Sequence, residues 1–259
     1  LTAAVQSTTG ADVSGDTVLL PQPGVEYPAT IDDGALTIRG LTIGSRPGGP
    51  LLVAAVGTAG VGWFRVAPSN AVDPRPVRGL DPALGLAELE AGSVEGEPVL
   101  GGADAARTWD TAVAAARRAL SAQIAGGVEQ MLSLATAHAK QRVQFGRPIG
   151  SFQAVRHRLA DVSVALHAAN AAIEQGWRAD DEVLAAMVAK SLAGRAARVA
   201  GAHCQQVLAG IGFTAEHPFH SYLKRTIVLD RLLGSSAELP TKIGARLAAA
   251  GTVPRLVEL

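Results

Sequence analysis

Residues 142–153 read Arg-Val-Gln-Phe-Gly-Arg-Pro-Ile-Gly-Ser-Phe-Gln, and this stretch separates two long alanine-rich segments. It places a guanidinium, two amides, an aromatic ring and a Gly/Pro turn at the predicted junction of two helices. Arginine offers a planar fork that matches phosphate oxygens, and amides bind ribose or phosphate oxygens. The stretch therefore predicts a rigid corner that binds a large polar cofactor.

The segment that follows this corner has the clearest helical periodicity in the chain. Apolar residues recur from Phe152 to Ile173 at alternating spacings of three and four. This spacing predicts an apolar stripe that packs on another helix, and Ser151 is the expected N-cap. A helical face is predicted from Ile124 to Ala135, in the segment that begins at about residue 104, and further helices are predicted over about 180–209, 217–233 and 236–250.

Residues 1 to about 100 have a different character, with short apolar runs between Gly, Pro, Asp and Asn. Strands are predicted over Thr37–Ile43, Leu51–Val56 and Val61–Val66. The predicted fold class is therefore α+β. A small antiparallel β domain (residues 1–102) precedes a C-terminal four-helix-type bundle (residues 103–259).

Composition excludes several classes of function. The formal net charge is zero, which argues against a nucleic-acid partner. Pro47 to Phe64 carries no charge, but its Gly/Pro turns favour buried strands over a membrane span.

Cys204 is the single cysteine and no signal peptide opens the chain, so a reducing, cytoplasmic location is expected. His217 and His220 lack a carboxylate at helical spacing, so no metal site is predicted.

The charges are unevenly distributed. Residues 1–100 hold 5 basic and 11 acidic side chains, whereas the rest of the chain holds 18 basic and 12 acidic ones. The C-terminal part is therefore the better host for phosphate groups.

Two motifs in the C-terminal part resemble those of the acyl-CoA dehydrogenase family. One is Arg142-Val-Gln-Phe-Gly with the later Phe152-Gln153, and the other is the Gln206-to-Phe213 stretch, in which Ala209 replaces a glycine. The resemblance implies the family's middle and C-terminal domains, with its N-terminal helical domain missing or not covered. It also implies FAD, whose ADP half would be surrounded by Arg142, Gln144, Phe145, Gln153, Gln206 and Gly210. In the family this FAD belongs mainly to a neighbouring subunit, so an oligomer is expected.

The same resemblance exposes a missing base. The family usually removes the substrate α-proton with a glutamate before a glycine, and Leu233 stands there, before Gly234-Ser235. Some relatives place the base on the first bundle helix before an arginine, where this chain has Ala116 and Arg117. Neither Leu233 nor Ala116 can accept a proton, so no catalytic residue is predicted, and Arg117 is retained as a residue that contacts substrate. Asp230, one helical turn before Leu233, is the alternative base.

The flavin-ring end of the expected site is also altered. The family usually carries a Trp-x-Ser/Thr pattern in its β domain, and the corresponding region here is Leu41-Thr-Ile-Gly-Ser45, without tryptophan. Trp63 is nearby in sequence but has no Ser or Thr two residues later. The ADP end is therefore better preserved in this sequence than the flavin-ring end.

These features most resemble the non-catalytic partner subunit of the actinobacterial heterotetrameric (α2β2) acyl-CoA dehydrogenases of sterol side-chain degradation. The expected function is to lend the ADP-binding part of an FAD site to a second acyl-CoA dehydrogenase-like subunit that carries the glutamate. The expected substrate is an acyl-CoA thioester, and the isolated chain should be inactive. Two alternatives are a homomeric dehydrogenase that uses Asp230, and a flavin-free assembly or binding protein on the same fold.

Overall fold

The chain forms two compact units, Leu1–Ala116 and Arg117–Leu259. In this computed structural model, the described residues are 6–8, 12–13, 15–43, 49–67, 73–179 and 181–252. The boundary between the units lies within the longest helix rather than at residue 102. The division into domains at residue 102 stays a prediction.

The first unit is built on a sheet of mostly antiparallel strands. The strands are Thr17–Val18 (β1), Leu20–Pro21 (β2), Ala29–Asp32 (β3), Ala35–Ile43 (β4), Leu51–Gly57 (β5), Gly60–Val66 (β6), Arg75–Pro76 (β7), Leu86–Val94 (β8) and Glu97–Gly101 (β9). The order of strands in the sheet is β7-β8-β4-β3-β5-β6-β9, with β2 paired to β4 and β1 paired to β5.

The three predicted strands are present as β4, β5 and β6, so the β-rich, mostly antiparallel character is confirmed. The sequence did not predict the two parallel pairs, β1 with β5 and β3 with β5. These pairs join strands that are far apart in the chain, and alternation within one strand carries no information about such partners. Gly44 and Ser45 of the Leu41–Ser45 region lie outside the described residues, as does Pro47. The described part of the uncharged stretch, which begins at residue 49, contains β5 and most of β6.

The core of this unit follows from the alternation of side chains along the strands. Leu36 and Ile38 of β4 are fully buried, while Thr37 between them is exposed. They belong to a core cluster with other buried apolar residues of this unit, which are Leu19, Ala29, Leu51, Val53, Ala55, Val66 and Leu89. The β5–β6 turn pairs Gly57 with Gly60, whose positive φ of 101° suits glycine.

The helices are Gly102–Gln141 (α1), Gln153–Gln175 (α2), Glu182–Leu208 (α3), Phe219–Arg231 (α4) and Leu239–Ala250 (α5). Among the described residues, no helix has the length and apolar character needed to cross a membrane. The predicted helical part is therefore confirmed, with each helix within a few residues of its expected position.

The predicted N-cap of α2 is wrong, and so is the glycine C-cap that the Gly210-Ile-Gly212 sequence predicts for α3. Phe152, not Ser151, is the N-cap of α2, and the Ser151 hydroxyl donates instead to the Pro148 carbonyl at 2.8 Å. The C-cap of α3 is Ala209, not a glycine, with φ 52° and ψ −133°. A short 3₁₀ turn, Ala209–Phe213, follows directly, so the chain must reverse at an alanine.

The backbone conformation of Ala209 yields a stability prediction. A residue with a Cβ in this sparsely populated region costs about 1–3 kcal/mol, whereas glycine adopts it without a steric cost. Because glycine also loses more entropy on folding, we expect Ala209→Gly to raise the free energy of unfolding by about 1 kcal/mol. Urea titration followed by circular dichroism measures this change.

Ala202→Gly is the matched control, because it makes the same change at an exposed interior position of α3. It should lower the free energy of unfolding by about 1 kcal/mol. Equal destabilisation by both substitutions would contradict the assignment of strain to Ala209.

Candidate functional site

The corner between α1 and α2 is a short β-hairpin with a two-residue turn. Strands Val143–Gln144 (β10) and Arg147–Pro148 (β11) pair antiparallel, and the Ile149 amide donates to the Arg142 carbonyl at 2.8 Å. Phe145 and Gly146 both have positive φ, 52° and 78°, as a tight turn of the I′ type requires. The sequence indicated a turn here, but two-residue strands are too short to produce an alternation signal.

Phe145 is held at the tip of this hairpin and is 91% exposed. Its ring meets the Phe152 ring edge-on, with 6.2 Å between centroids. The Arg147 guanidinium lies 4.2 Å from the Phe152 ring centroid on the same corner. A large aromatic ring is thus presented outward from an ordered base, as a contact surface for a flat ligand or another chain.

A groove of about 690 Å³, here the corner groove, lies against this hairpin. It collects side chains from the end of α1, the hairpin, the start of α2 and the end of α3. Such a volume is typical of sites for small molecules and cofactors. Its lining residues are His138, Arg142, Gln144, Phe145, Ile149, Phe152, Ala154, Val155, Arg158, Gln206, Val207, Leu208, Ala209, Gly210 and Ile211.

Five of the six predicted cofactor residues line this one groove. They come from two segments more than sixty positions apart, so only folding brings them together. Gln153 is the exception, because it is exposed at the first turn of α2 and is not among the lining residues. The groove has free space at Gly210, since a Cβ added there would meet no atom within 4 Å.

Sequence reasoning missed two polar residues of the corner groove, Arg158 and His138. Arg158 follows Ala154 and Val155 by about one helical turn, and this spacing could have identified it. His138 lies one turn before Arg142. Burial, followed by the charges of Arg142 and His217, lowers the pKa of His138 below its ordinary value of 6.5, so this ring is neutral at pH 7.

The corner groove fits the ADP half of a nucleotide cofactor. Arg142 and Arg158 supply two guanidinium groups for a pyrophosphate, and Gln144 and Gln206 supply amides for sugar or phosphate oxygens. The remaining lining is mostly apolar and includes two phenylalanine rings, which suits a flat aromatic base. The arrangement can bind a dinucleotide, and none of its lining residues is a carboxylate such as the family's base.

The turn after α4, where the family base would stand, is held by two cations. The Arg117 Nε donates to the Leu233 carbonyl at 2.9 Å, and the Lys190 Nζ donates to the Asp230 and Gly234 carbonyls at 2.8 and 3.2 Å. Leu233 has a left-handed φ of 57° and its side chain is buried. The turn is therefore ordered, but a hydrocarbon occupies the position of the base.

Asp230, the alternative base, is engaged in structure. One carboxylate oxygen accepts from the Ser236 amide and the other from the Ser236 hydroxyl, each at 3.0 Å. The Lys190 Nζ lies 3.7 Å from the first oxygen. Gly194 of α3 packs directly against this carboxylate. An alanine cannot replace it, because the added Cβ would clash with the carboxylate and lie 2.7 Å from the Ser236 Cβ. Asp230 thus ties the turn to α4 and α3.

Glu238, the other acid near Leu233, forms a capping box with Ser235. The Ser235 amide donates to the Glu238 carboxylate at 3.0 Å, and the Glu238 amide donates to the Ser235 hydroxyl at 3.3 Å. The hydrogen bonds from Ser235 lower the pKa of Glu238, so the carboxylate stays ionised at neutral pH. This pair orders the turn that leads into α5.

The other candidate groups are used internally. Trp63 is fully buried and its indole N–H donates to the Ala105 carbonyl at 3.1 Å. His217 accepts from the Phe219 amide, and His220 contacts the Ala215 carbonyl. Burial raises the pKa of the Cys204 thiol to about 12, so it is not a nucleophile. No cluster of three or more metal-ligating side chains occurs within the described part of the chain.

Lys190 yields a prediction of pH dependence. Burial, opposed in part by the Asp230 charge, lowers its pKa from 10.5 to about 8. Above this value the folded chain has released a proton that the unfolded chain still binds, so stability rises with pH until about 10.5. Relative to Lys190→Met, we expect the unfolding free energy of the wild type to rise by about 2 kcal/mol between pH 7 and pH 9.5.

Urea titrations at the two pH values measure this difference. Lys242→Met, which changes an exposed lysine on α5, is the control and should show no such pH-dependent difference from the wild type. A gap between the wild type and Lys190→Met that is the same at both pH values would contradict a depressed Lys190 pKa.

Comparison with known proteins places this architecture in a family. Residues 107–248, more than half of the chain, match the acyl-CoA dehydrogenase C-terminal domain. Two relatives from Mycobacterium tuberculosis are the acyl-CoA dehydrogenases IpdE2, 39% identical over 165 residues, and FadE34, 36% identical over 231 residues. The matches cover 64% and 84% of this chain, but only 49% and 30% of those relatives.

Solved structures agree with the sequence match. The ChsE4-ChsE5 complex from Mycobacterium tuberculosis superimposes with a TM-score of 0.75 at 26% identity, covering 92% of this chain and 66% of that one. A Tcur3481-Tcur3483 steroid ACAD variant gives a TM-score of 0.78 at 26% identity, covering 96% and 75%. This chain belongs to the FAD-dependent acyl-CoA dehydrogenase family.

Proposed function

We propose that this chain is a subunit of an FAD-dependent acyl-CoA dehydrogenase and contributes the ADP-binding part of the flavin site to a partner that carries the catalytic glutamate. One contrast supports this proposal above all. The corner groove gathers the residues suited to an ADP group, while buried Leu233 fills the position of the base.

Each side chain of the corner groove has a role in this proposal. Arg142 and Arg158 bind the pyrophosphate charge, and Gln144 and Gln206 orient the sugar-phosphate oxygens. Phe145 covers an aromatic face of the cofactor and extends toward the neighbouring chain. FAD, when bound, accepts the hydride from the substrate β-carbon. This chain binds and orients the cofactor without taking part in proton transfer.

The missing base requires a partner. A positioned general base contributes about 10²–10⁴ in rate, so a chain without one is a poor dehydrogenase alone. Asp230 cannot readily replace it, because both carboxylate oxygens already accept hydrogen bonds from Ser236. Arg117 holds the Leu233 carbonyl, so its proposed substrate contact would have to use its other nitrogens.

The comparisons favour a second acyl-CoA dehydrogenase-like chain as that partner. One similar structure is the ChsE4-ChsE5 complex, and the other, Tcur3481-Tcur3483, is a steroid ACAD. By analogy we propose a heterotetramer that acts on a CoA thioester of a sterol side chain. A neighbouring reading frame with the Glu-Gly turn intact is the partner to co-express.

Replacement of Arg142 tests the cofactor role. Arg142→Gln removes a charged donor to the pyrophosphate, worth about 1.5–3 kcal/mol, so we expect FAD affinity of the co-purified assembly to fall at least tenfold. Flavin per assembly after gel filtration, together with titration of FAD into the stripped assembly, measures it. Arg156→Gln, an exposed position of α2 outside the corner groove, should keep its flavin. Full flavin retention by Arg142→Gln would refute the role.

Replacement of Asp230 separates this proposal from a homomeric enzyme. In the proposed assembly, Asp230→Asn should lower the unfolding temperature, because it weakens the contact with Lys190, while turnover per flavin changes only a few-fold. A base would lose at least about 10²-fold in turnover. Dye-coupled assays of the isolated chain and of the assembly measure turnover per flavin, and thermal unfolding measures the change in unfolding temperature. An assembly that contains no flavin at all would favour a binding protein on this fold instead.

A further inference from the structure

Among the residues that line the corner groove, His138 is the one whose charge can change near neutral pH. It lies on α1, one helical turn before Arg142, and its ring is partly buried in the groove. Within the described residues, neither a hydrogen bond nor an ion pair engages this ring. The proposed function uses Arg142, Arg158 and two amides of the groove, so it leaves the His138 ring without a partner.

The other histidines of this chain do not share this position. Four of their rings bind backbone groups of the protein itself, and the fifth, His157, is exposed on α2 outside the groove. A polar ring that is partly buried and unpaired beside a groove is available to a ligand. The four rings with backbone partners are those of His167, His203, His217 and His220.

The protein groups around His138 disfavour a proton on its ring. Burial lowers the pKa of this ring, and the charges of Arg142 on the same helix and of His217 in the turn before α4 lower it further. Helix α2 adds the guanidinium of Arg158 to the lining, and the end of α3 adds the uncharged Gln206. None of the described residues that line the groove is a carboxylate. The ring is therefore neutral at pH 7.

A pyrophosphate in the groove would reverse this balance. Both of its phosphates are anionic, so together they offset the two guanidinium groups that oppose protonation of the ring. A phosphate oxygen within about 4–6 Å of the ring favours the charged form, and the imidazolium has an N–H donor on each nitrogen. The end of α1 would then supply two cations to the phosphates, one turn apart, and α2 would supply the third.

We infer that His138 is a third cationic ligand for the pyrophosphate of FAD, and that it takes up a proton from the solvent when FAD binds. The inference rests on the proposed function, because the corner groove must hold the ADP half of FAD. Coupling between two ligands is reciprocal, so a cofactor that favours the protonated ring is itself bound more tightly when the ring is protonated. The pH of the solution thereby controls how firmly the assembly retains its flavin.

The direction of this pH dependence follows from the charges. Bound FAD raises the pKa of His138 above its value in the FAD-free chain, so binding consumes a proton at pH values between the two. FAD affinity should therefore rise as the pH falls from 7.5 to 5.5. It should become independent of pH where the ring is neutral both with and without FAD.

Calorimetric titration of FAD into the stripped assembly tests this coupling. At pH 6.5 the binding enthalpy should vary with the ionisation enthalpy of the buffer, and the slope should correspond to uptake of up to about one proton. The dissociation constant at pH 5.5 should be at least about threefold lower than at pH 7.5. His138→Gln keeps a polar side chain that cannot titrate. It should lose most of both effects and still bind FAD, because Arg142 and Arg158 remain.

His157→Gln is the matched control, since it makes the same change at an exposed position outside the groove. It should keep the proton uptake of the wild type, and circular dichroism verifies that both variants are folded. FAD binding without proton uptake in the wild type, or with equal uptake in His138→Gln, would overturn this inference and leave the proposed function intact. A wild-type assembly that binds no FAD at any pH would overturn the proposed function and this inference with it.

Discussion

Close packing of α3 against its neighbours is the constraint on which the second unit depends. Most of its buried positions are alanines or glycine, from Ala185 to Ala200, and these small side chains let backbones approach closely. At its start, Asp181 caps the helix by accepting from the Leu184 amide and also binds Arg246 of α5 at 3.1 Å. The last turn of α3 and the following 3₁₀ turn form one wall of the corner groove, so the packing of α3 positions that wall.

Lys190 is the exception on this helix, and it explains why the turn after α4 persists without a base. A fully buried ammonium group is costly unless hydrogen-bonded, and the Asp230 and Gly234 carbonyls provide the bonds. Removing the turn would leave Lys190 unsatisfied, and removing Lys190 would leave the carbonyls and the Asp230 carboxylate without their cation. The turn therefore contributes to the stability of the bundle whether or not a glutamate occupies position 233.

The family site is thus divided within one chain. The part proposed to bind a nucleotide relies on groups at helix ends and a hairpin tip, where polar side chains can face a ligand without disturbing the core. The part that would perform proton transfer lies on a turn whose polar atoms are bound by the protein itself. In the proposed assembly the second part is supplied by another chain, and the exposed Phe145 ring lies where such a chain would approach.

Local sequence determined a great deal about this protein. The apolar spacing of three and four residues predicted α2, and the alternation of apolar and polar residues predicted β4. The residue types at Arg142, Gln144 and Phe145 indicated a cofactor-binding corner. The sequence carries these signals because each of them acts over only a few residues. Leu233 and Ala116 likewise exclude a base at those positions from their chemistry alone. The helix caps were harder to predict from the sequence, because the strain at Ala209 and the cap at Phe152 depend on how the following segment packs.

Only the tertiary structure decided which residues meet. It brought Gln206 and Gly210 to the hairpin, added Arg158 and His138 to the corner groove, and left Gln153 outside it. It also occupied Asp230 with Ser236 and Lys190, a pairing between helices that no periodicity encodes. The physical reason is the same in each case. A side chain's residue type sets what it can bind, but its partners are fixed by contacts between segments distant in the chain.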